Sequence, residues 1–168
     1  MFTKSKVRGI TLAAVIAAFY TVLTVLPGIS ILSYGPLQFR ISEALTVLPI
    51  FTPWAIPGLT IGCFVSNIFS TAGPMDMLFG TAASLIAAIA TYLLRDRKRW
   101  IALIPPVVVN GVIIGTMITV FYMDAGKQFQ TMLLYNMFTV AAGEAGVCYI
   151  LGLPLAAYIN RNKRVLGL

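Results

Sequence analysis

Residues 42–71 read SEALTVLPIFTPWAIPGLTIGCFVSNIFST, and this stretch decides how often the chain can cross a membrane. After Glu43 it contains no Asp, Glu, Lys or Arg, so it is apolar enough to lie in lipid. A membrane-spanning helix needs roughly 20 apolar residues, which leaves room here for two short spans. Pro49, Pro53 and the pair Pro57-Gly58 interrupt the middle of the stretch. We therefore expect two helices rather than one kinked helix.

The rest of the chain has the same apolar character. Of its 168 residues, 59% are hydrophobic and 10% are charged, whereas soluble domains carry about a quarter charged residues. The other runs without charge cover residues 9–39, 77–94, 100–123, 128–143 and 145–160. These runs predict an all-α membrane protein, with one integral membrane domain over residues 1–168. Its six transmembrane helices are expected at about 10–31, 42–56, 57–71, 77–94, 100–123 and 132–159.

The basic residues give the orientation of these helices. With six spans, ten of them fall on one side of the membrane: Lys4, Lys6, Arg8, Arg95, Arg97, Lys98, Arg99, Arg161, Lys163 and Arg164. Arg40 and Lys127 fall on the other side, and five spans would place the two basic ends in conflict. The positive-inside rule then predicts that both termini are cytoplasmic. Topology accounts for the net charge of +7, so no nucleic-acid partner is expected. The first helix is too long and continuous for a cleaved signal peptide.

Glu144 is the most costly polar residue in the predicted spans. It lies near the middle of the sixth helix, where an ionised carboxylate costs on the order of 3 kcal/mol. Such a residue marks a ligand, a proton path or a buried partner, and we favour a functional role over a hydrogen bond that only joins two helices. Further polar residues fall within the spans or toward their outer ends, namely Asn67, Asp76, Asn110, Asp124 and Asn136. Each amide alone is more often a helix-packing contact than a ligand contact.

Arg40 and Glu43 are three residues apart at the start of the second predicted helix. If that helix begins near Phe39, the two side chains lie on one face. One interpretation is a local ion pair, which contributes little where it is exposed. The other is the outer rim of a solute pocket, with Glu43 available to a ligand and Arg40 holding it or closing a gate.

The first helix carries two overlapping pairs of small residues, Ala13/Ala17 and Ala14/Ala18. Small residues four apart make a flat surface on which another helix packs closely. Gly111 and Gly115 form a similar pair in the fifth helix. Packing inside the chain and docking of a separate membrane subunit are about equally compatible with this spacing.

Several classes of chemistry lack their usual residues. The chain has no histidine, and Cys63 and Cys148 lie inside spans without metal-ligand spacing, so we expect no metal site and no cofactor. A serine or cysteine nucleophile would have no histidine base, which argues against an enzyme. The GxxxxGK[ST] loop for ATP phosphates is also missing.

Three stretches of the chain resemble the QueT family of queuosine-precursor transporters. They are GPLQFRISEALTVLP (residues 35–49), SNIFSTAGPMDMLFGT (66–81) and AAGEAG (141–146). QueT proteins are substrate-capture (S) components of energy-coupling factor (ECF) importers, and the small size and the alanine motif of the first helix fit that class. The resemblance covers nearly the whole chain and implies a multi-pass protein of a prokaryotic plasma membrane.

The resemblance implies a mechanism and a set of partners. An S component binds its solute from outside and then reorients in the membrane against a transmembrane coupling subunit, which two ATPase subunits drive. The implied docking face is Ala13, Ala14, Ala17 and Ala18. The implied solute is 7-aminomethyl-7-deazaguanine or queuine. The implied binding residues are Arg40, Glu43, Asn67, Asp76, Asn110, Tyr135, Asn136 and Glu144.

The chemistry of that solute fits the polar residues. A guanine-like edge presents adjacent N–H donors that one carboxylate accepts in bidentate fashion. The aminomethyl arm is a cation and calls for a second carboxylate. Glu144 is expected in one role and Glu43 or Asp76 in the other, with Tyr34, Phe39 and Tyr135 as candidate aromatic walls.

Other functions stay open at this point. The chain could be an S component for a different vitamin, since specificity depends on few pocket residues. It could also be a membrane scaffold subunit that transports nothing, its polar residues serving only helix packing. An ion-coupled carrier is less favoured, because no inverted repeat is visible.

Overall fold

The computed structural model of the chain describes residues 4–26, 39–70, 73–123 and 126–162, and all regular structure among them is helical. This confirms the predicted all-α class. In chain order the elements are α1 (Lys4–Val25), a 3-10 helix (Ile41–Ile50), α2 (Ala55–Asn67), α3 (Gly73–Leu93), α4 (Arg99–Ala102), α5 (Ile104–Tyr122), a 3-10 turn (Gly126–Gln128), α6 (Phe129–Val147), a π-helical turn (Cys148–Gly152) and α7 (Leu153–Arg161). The predicted end of the first helix, residues 27–31, lies outside the described residues.

The described helices expose many apolar side chains and bury polar side chains together with apolar ones. Four helical segments are long and apolar enough to cross a bilayer: Lys6–Val25, Gly73–Leu93, Arg99–Tyr122 and Phe129–Arg161. Phe19, Leu93 and Phe138 point outward, while carboxylates and amides are buried between the helices. In lipid, buried polar groups must find partners within the protein. The chain is a multi-pass membrane protein.

The 3-10 helix and α2 form a short hairpin, as the prolines of residues 42–71 predict. The break falls at residues 51–54, close to Pro53. At about 2 Å per residue the 3-10 helix is about 20 Å long, and α2 has a similar length at about 1.5 Å per residue. The hairpin is therefore shorter than the ~30 Å hydrocarbon thickness. Arg40 and Asn67 lie at its open end. For these two short helices, the count of six crossings stays a prediction.

Glycines let the helices approach closely. A Cβ added at Gly62 would lie 2.8 Å from Cβ of Tyr20 and 2.9 Å from the carbonyl oxygen of Ala17, so α1 packs directly on the backbone of α2. A Cβ at Gly115 would lie 2.6 Å from Cα of Met137, which shows the same contact between α5 and α6. The Gly111/Gly115 pair therefore serves packing inside the chain.

The last long helix is interrupted by one π-helical turn. In a regular α-helix the residue at position 154 would donate its backbone N–H to the carbonyl oxygen of Ile150. Pro154 has no such N–H and its ring would clash with that carbonyl, and a local change of helical pitch accommodates it. The turn also lies against the 3-10 helix, where Gly152 packs next to the backbone of Ala44. Cys148, the first residue of the turn, is buried at this contact.

The basic segments meet at one end of the molecule. The indole of Trp54 packs over Gly9 of α1, and one cavity is lined by the 51–53 turn, the 95–99 loop and Asn160 of α7. We call this the basic end. Its composition agrees with the predicted topology, and its cytoplasmic location is inferred from the positive-inside rule.

Candidate functional site

A group of buried ionisable side chains lies at the open end of the short hairpin. It consists of Arg40, Glu43, Asp76 and Glu144, all of which are buried. We call this group the carboxyl cluster. The 3-10 helix, α3 and α6 each supply one carboxyl group to it. Four of the predicted site residues are thus brought together from distant parts of the chain.

Arg40 and Asp76 form a buried salt bridge, with 2.9 Å between Nη2 of Arg40 and Oδ2 of Asp76. Arg40 also donates from Nη1 to Oδ1 of Asn67 over 3.2 Å. Asn67 in turn donates to the backbone carbonyl of Asp76 over 2.9 Å, and the Ser70 hydroxyl donates to Oδ2 of Asp76 over 2.5 Å. These bonds join the starts of the 3-10 helix and α3 to the end of α2.

The partner of Arg40 differs from the local ion pair considered from the sequence. Arg40 has an extended backbone (φ −91°, ψ 107°) and precedes the helix, which begins at Ile41. Its side chain is therefore not aligned with the helix face that carries Glu43, and it reaches Asp76 on α3 instead. Gly80 makes this arrangement compact, since a Cβ there would lie 2.5 Å from Nδ2 of Asn67.

Glu43 is held by α1 and by its own helix. Three residues per turn place Glu43, Thr46 and Pro49 on one face of the 3-10 helix, and all three are buried. The fully buried Tyr20 of α1 donates its hydroxyl to Oε1 of Glu43. Within the described part of the chain, Oε2 of Glu43 has no hydrogen-bond partner. One oxygen of this buried carboxyl is therefore available to a ligand.

Glu144 lies on α6 and faces the same interior. The thiol of Cys148, one turn later, donates to Oε1 of Glu144 over 3.5 Å, and the buried side chain of Asn110 on α5 lies near the same carboxyl group. Glu144 and Glu43 are close enough to interact electrostatically. Two buried carboxyl groups, one from the 3-10 helix and one from α6, thus lie close together.

The cluster carries more acidic than basic groups. Among the described residues, Glu43, Asp76 and Glu144 share one buried guanidinium, that of Arg40, and Arg40 forms its salt bridge with Asp76. Buried carboxylates close to each other repel, and a cation between them relieves this repulsion. The arrangement suits a ligand that brings a positive charge and N–H donors.

Two predicted site residues lie apart from the cluster. Asn136 donates to the Thr119 hydroxyl over 2.9 Å and contacts the Met123 sulfur over 3.2 Å, so it joins α6 to α5. Tyr135 is 62% exposed on the outer surface of α6. Tyr34 and Asp124 lie outside the described residues. Among the candidate aromatic walls, the ring of Phe39 is near the cluster, 3.3 Å from the position of a Cβ on Gly146.

The alanine motif of α1 divides between two environments. Ala13 and Ala17 are buried, and their carbonyl oxygens would contact a Cβ at Gly58 and at Gly62 of α2. Ala13 and Ala17 therefore pack inside the chain and are not available for docking. This corrects the predicted docking face of four alanines. Ala14 and Ala18 lie about 100° further around the helix and are exposed.

Some residues of the site were not singled out from the sequence. Tyr20 and Cys148 contact the two glutamates directly, and Ser70 contacts Asp76. A tyrosine in the middle of an apolar span is a usable signal, because its hydroxyl needs a partner there. For Ser70 and Cys148 no comparable signal exists, since their roles depend on which helices pack together. Among the described residues, no group of three His, Cys, Asp or Glu is placed to hold a metal ion.

Comparison with known proteins places the chain in a family. The sequence model of the QueT transporter family matches residues 10–161, which include every residue of the carboxyl cluster. The chain belongs to the QueT transporter family. It is also 42% identical over 94 residues to the queuosine precursor transporter QueT of Lactococcus lactis subsp. cremoris (strain MG1363). That match covers 56% of this chain and 55% of the relative, so it spans about half the relative's length. No solved structure matches the chain.

Proposed function

We propose that this chain is the substrate-binding component of an ECF-type importer and captures a queuosine precursor from outside the cell. The solute is 7-aminomethyl-7-deazaguanine or queuine. Membership of the QueT transporter family supports transport rather than catalysis. The observation that carries the proposal is the pair of buried glutamates, Glu43 and Glu144, in a cluster whose arginine already binds Asp76.

The contacts divide the three carboxyl groups into two kinds. Asp76 is a structural group, because its Oδ2 accepts from both Arg40 and Ser70 and its backbone carbonyl accepts from Asn67. Its Oδ1, like Oε2 of Glu43, has no hydrogen-bond partner among the described residues. Glu43 and Glu144 each accept a hydrogen bond from a neighbouring side chain, but among the described residues neither forms a salt bridge. We assign these two to the ligand: one accepts the N–H donors of the guanine-like edge, and the other binds the cationic aminomethyl arm.

The outward position of Ala14 and Ala18 supports the partner part of the proposal. They lie on α1 beside exposed Val15, Phe19 and Val22, which form an apolar surface. Small residues four apart within such a surface allow close helix contact. We propose this surface as the docking site for the transmembrane coupling subunit, which works with two ATPase subunits.

Ligand-dependent stabilisation of the purified protein tests the function. A ligand that binds the folded state at 100 times its Kd adds about 2.7 kcal/mol of stability, or roughly 5 to 10 °C in Tm for a chain of this size. We expect this shift with 7-aminomethyl-7-deazaguanine or queuine, and no shift with guanine, riboflavin or thiamine. The measurement is a thermal melt in detergent.

The other outcomes discriminate between the remaining functions. A shift with riboflavin or thiamine alone would keep the S-component architecture and contradict the deazaguanine substrate. No shift with any compound, from protein shown to be folded, would favour a membrane scaffold that binds no solute.

If this surface docks the coupling subunit, changes in it should impair uptake but not ligand binding. Changing both Ala14 and Ala18 to leucine should abolish ATP-dependent uptake in cells, because the larger side chains prevent close contact with the coupling subunit. Ligand binding by the purified variant should stay unchanged, since neither residue contacts the carboxyl cluster. The paired measurements are uptake of radiolabelled ligand and the thermal melt.

A matched variant controls for added bulk in the membrane. Ala142 on α6 and Ala157 on α7 are also exposed alanines, and changing both to leucine should leave uptake intact. Equal loss of uptake in the two double variants would show that Ala14 and Ala18 have no special role in docking.

A further inference from the structure

The basic end contains a cavity that the transport site does not use. Its volume is about 490 Å³, within the size range of small-molecule sites. It lies between the end of the 3-10 helix, the end of α3, the loop that follows α3 and the end of α7. The carboxyl cluster lies at the other end of the hairpin, so the two sites are separate.

The cavity has a cationic wall. Arg95, Arg97 and Arg99 line it, with Asp96 as the acidic residue among them. Asp96 pairs weakly with Arg95, at 4.0 Å between Nη2 and Oδ2, and its side chain is largely exposed. Within the described residues, no salt bridge is formed by Arg97 or Arg99. The wall therefore has an excess of positive charge.

One of the arginines is held in position. The guanidinium of Arg95 lies over the ring of Tyr92, 4.2 Å from the centroid, and donates to the Tyr92 carbonyl over 3.1 Å. This stacking fixes the plane of the guanidinium. Planar arginine forks match the oxygens of a phosphate group, often in bidentate fashion.

Apolar side chains supply a smaller part of the lining. Ile50, Phe51 and Pro53 of the hairpin contribute it. Trp100, next to the arginines, is 52% exposed, and exposed tryptophans typically lie at the level of the lipid headgroups. A ligand that fills this cavity has an anionic part and an apolar part, and it is present at the membrane surface.

We propose that this cavity binds the phosphodiester headgroup of an anionic phospholipid. The phosphate lies against Arg95, Arg97 and Arg99, and the glycerol and the first carbons of the acyl chains lie along Ile50, Phe51 and Pro53. Basic pockets between membrane helices on the cytoplasmic side bind lipid headgroups in this way. A free phosphate ion shares the anionic chemistry, but it would leave the apolar part of the lining uncovered.

Native mass spectrometry of the purified full-length chain in a neutral detergent tests the proposal. The probes are dioleoylphosphatidylglycerol, dioleoylphosphatidylcholine and inorganic phosphate at matched concentrations. We expect saturable binding of phosphatidylglycerol and no saturable binding of phosphatidylcholine or phosphate. Changing Arg97 and Arg99 together to glutamine should weaken phosphatidylglycerol binding roughly 30-fold.

Two further variants make the result specific. Changing Lys6 and Lys98 to glutamine removes the same charge from the basic end without touching the cavity lining, and it should weaken binding less than threefold. Changing Arg97 and Arg99 to lysine keeps the charge but removes the planar fork, and it should give an intermediate loss.

Three results would overturn the proposal. They are equal losses in the Arg97→Gln/Arg99→Gln and Lys6→Gln/Lys98→Gln variants, equal binding of phosphatidylcholine, and occupancy by inorganic phosphate that phosphatidylglycerol does not displace. Unchanged phosphatidylglycerol binding in a folded Arg97→Gln/Arg99→Gln variant would overturn it as well, because the lipid would then bind away from these arginines.

Discussion

Replacing Glu144 or Glu43 by glutamine should weaken binding of 7-aminomethyl-7-deazaguanine by about 2–3 kcal/mol, or roughly 30- to 150-fold in Kd. Glutamine keeps the size of the side chain but removes its negative charge. It also presents an NH₂ group where the ligand needs an acceptor. The measurement is a ligand titration, by calorimetry or by thermal melt, on the purified variants.

The two variants should differ in ligand preference. Queuine and 7-aminomethyl-7-deazaguanine share the guanine-like edge and differ in the substituent on the amine. The variant that loses the edge contact should weaken both ligands equally. The variant that loses the arm contact should change the ratio of the two affinities. This comparison assigns Glu43 and Glu144 to their parts of the ligand.

Asp96 provides the matched control for the charge change. It is an exposed carboxylate at the basic end, and its replacement by asparagine should leave ligand affinity unchanged. If both glutamate variants bound the ligand like the unmodified protein, the carboxyl cluster would not be the binding site. Transport, if observed, would then use a different pocket.

Replacing Arg40 by alanine should destabilise the protein by about 3–5 kcal/mol, because it leaves the buried carboxylate of Asp76 without its cation. For a chain of this size the loss corresponds to a fall in Tm of roughly 6 to 20 °C. Asn67 loses a donor in the same step, since Arg40 bonds to both residues. The measurement is a thermal melt of the purified variant without ligand.

A second variant separates the lost charge pair from the lost side-chain packing. Changing Arg40 to methionine and Asp76 to asparagine together removes both charges and keeps similar volumes, so it should recover more than half of the lost stability. Asp96→Asn, which breaks only the weak and partly exposed pair with Arg95, should change Tm by about 4 °C at most. A stable Arg40→Ala protein would show that the salt bridge is not a structural element.

Patterns along the chain predict the helices of this protein but not the pairing of their polar groups. Proline positions and charge-free runs predict the hairpin at residues 42–71, and the structure confirms the break near Pro53. The partner of Arg40 was not predictable in this way. It depends on the extended backbone at Arg40 and on the absence of a side chain at Gly80, which lets Asn67 and Asp76 meet.

The alanine motif of α1 also shows that sequence spacing does not predict which helix face packs inside the bundle. Two overlapping small-residue pairs one position apart point about 100° apart on a helix, and their spacing does not say which pair faces the bundle. That choice is made by Gly58 and Gly62 of α2, which accept the face of Ala13 and Ala17. Tyr135 and Asn136 are likewise neighbours in sequence, yet one is exposed and the other is buried.

The hydrogen bond from Tyr20 to Glu43 has a thermodynamic consequence for transport. Tyr20 lies on the same continuous helix as Ala18, so one rigid element contacts both the ligand-binding carboxyl and the proposed docking surface. If ligand binding in the carboxyl cluster shifts Glu43, the equilibrium between two positions of α1 shifts as well. Linkage then requires reciprocity: the factor by which the ligand changes affinity for the coupling subunit equals the factor by which the coupling subunit changes affinity for the ligand.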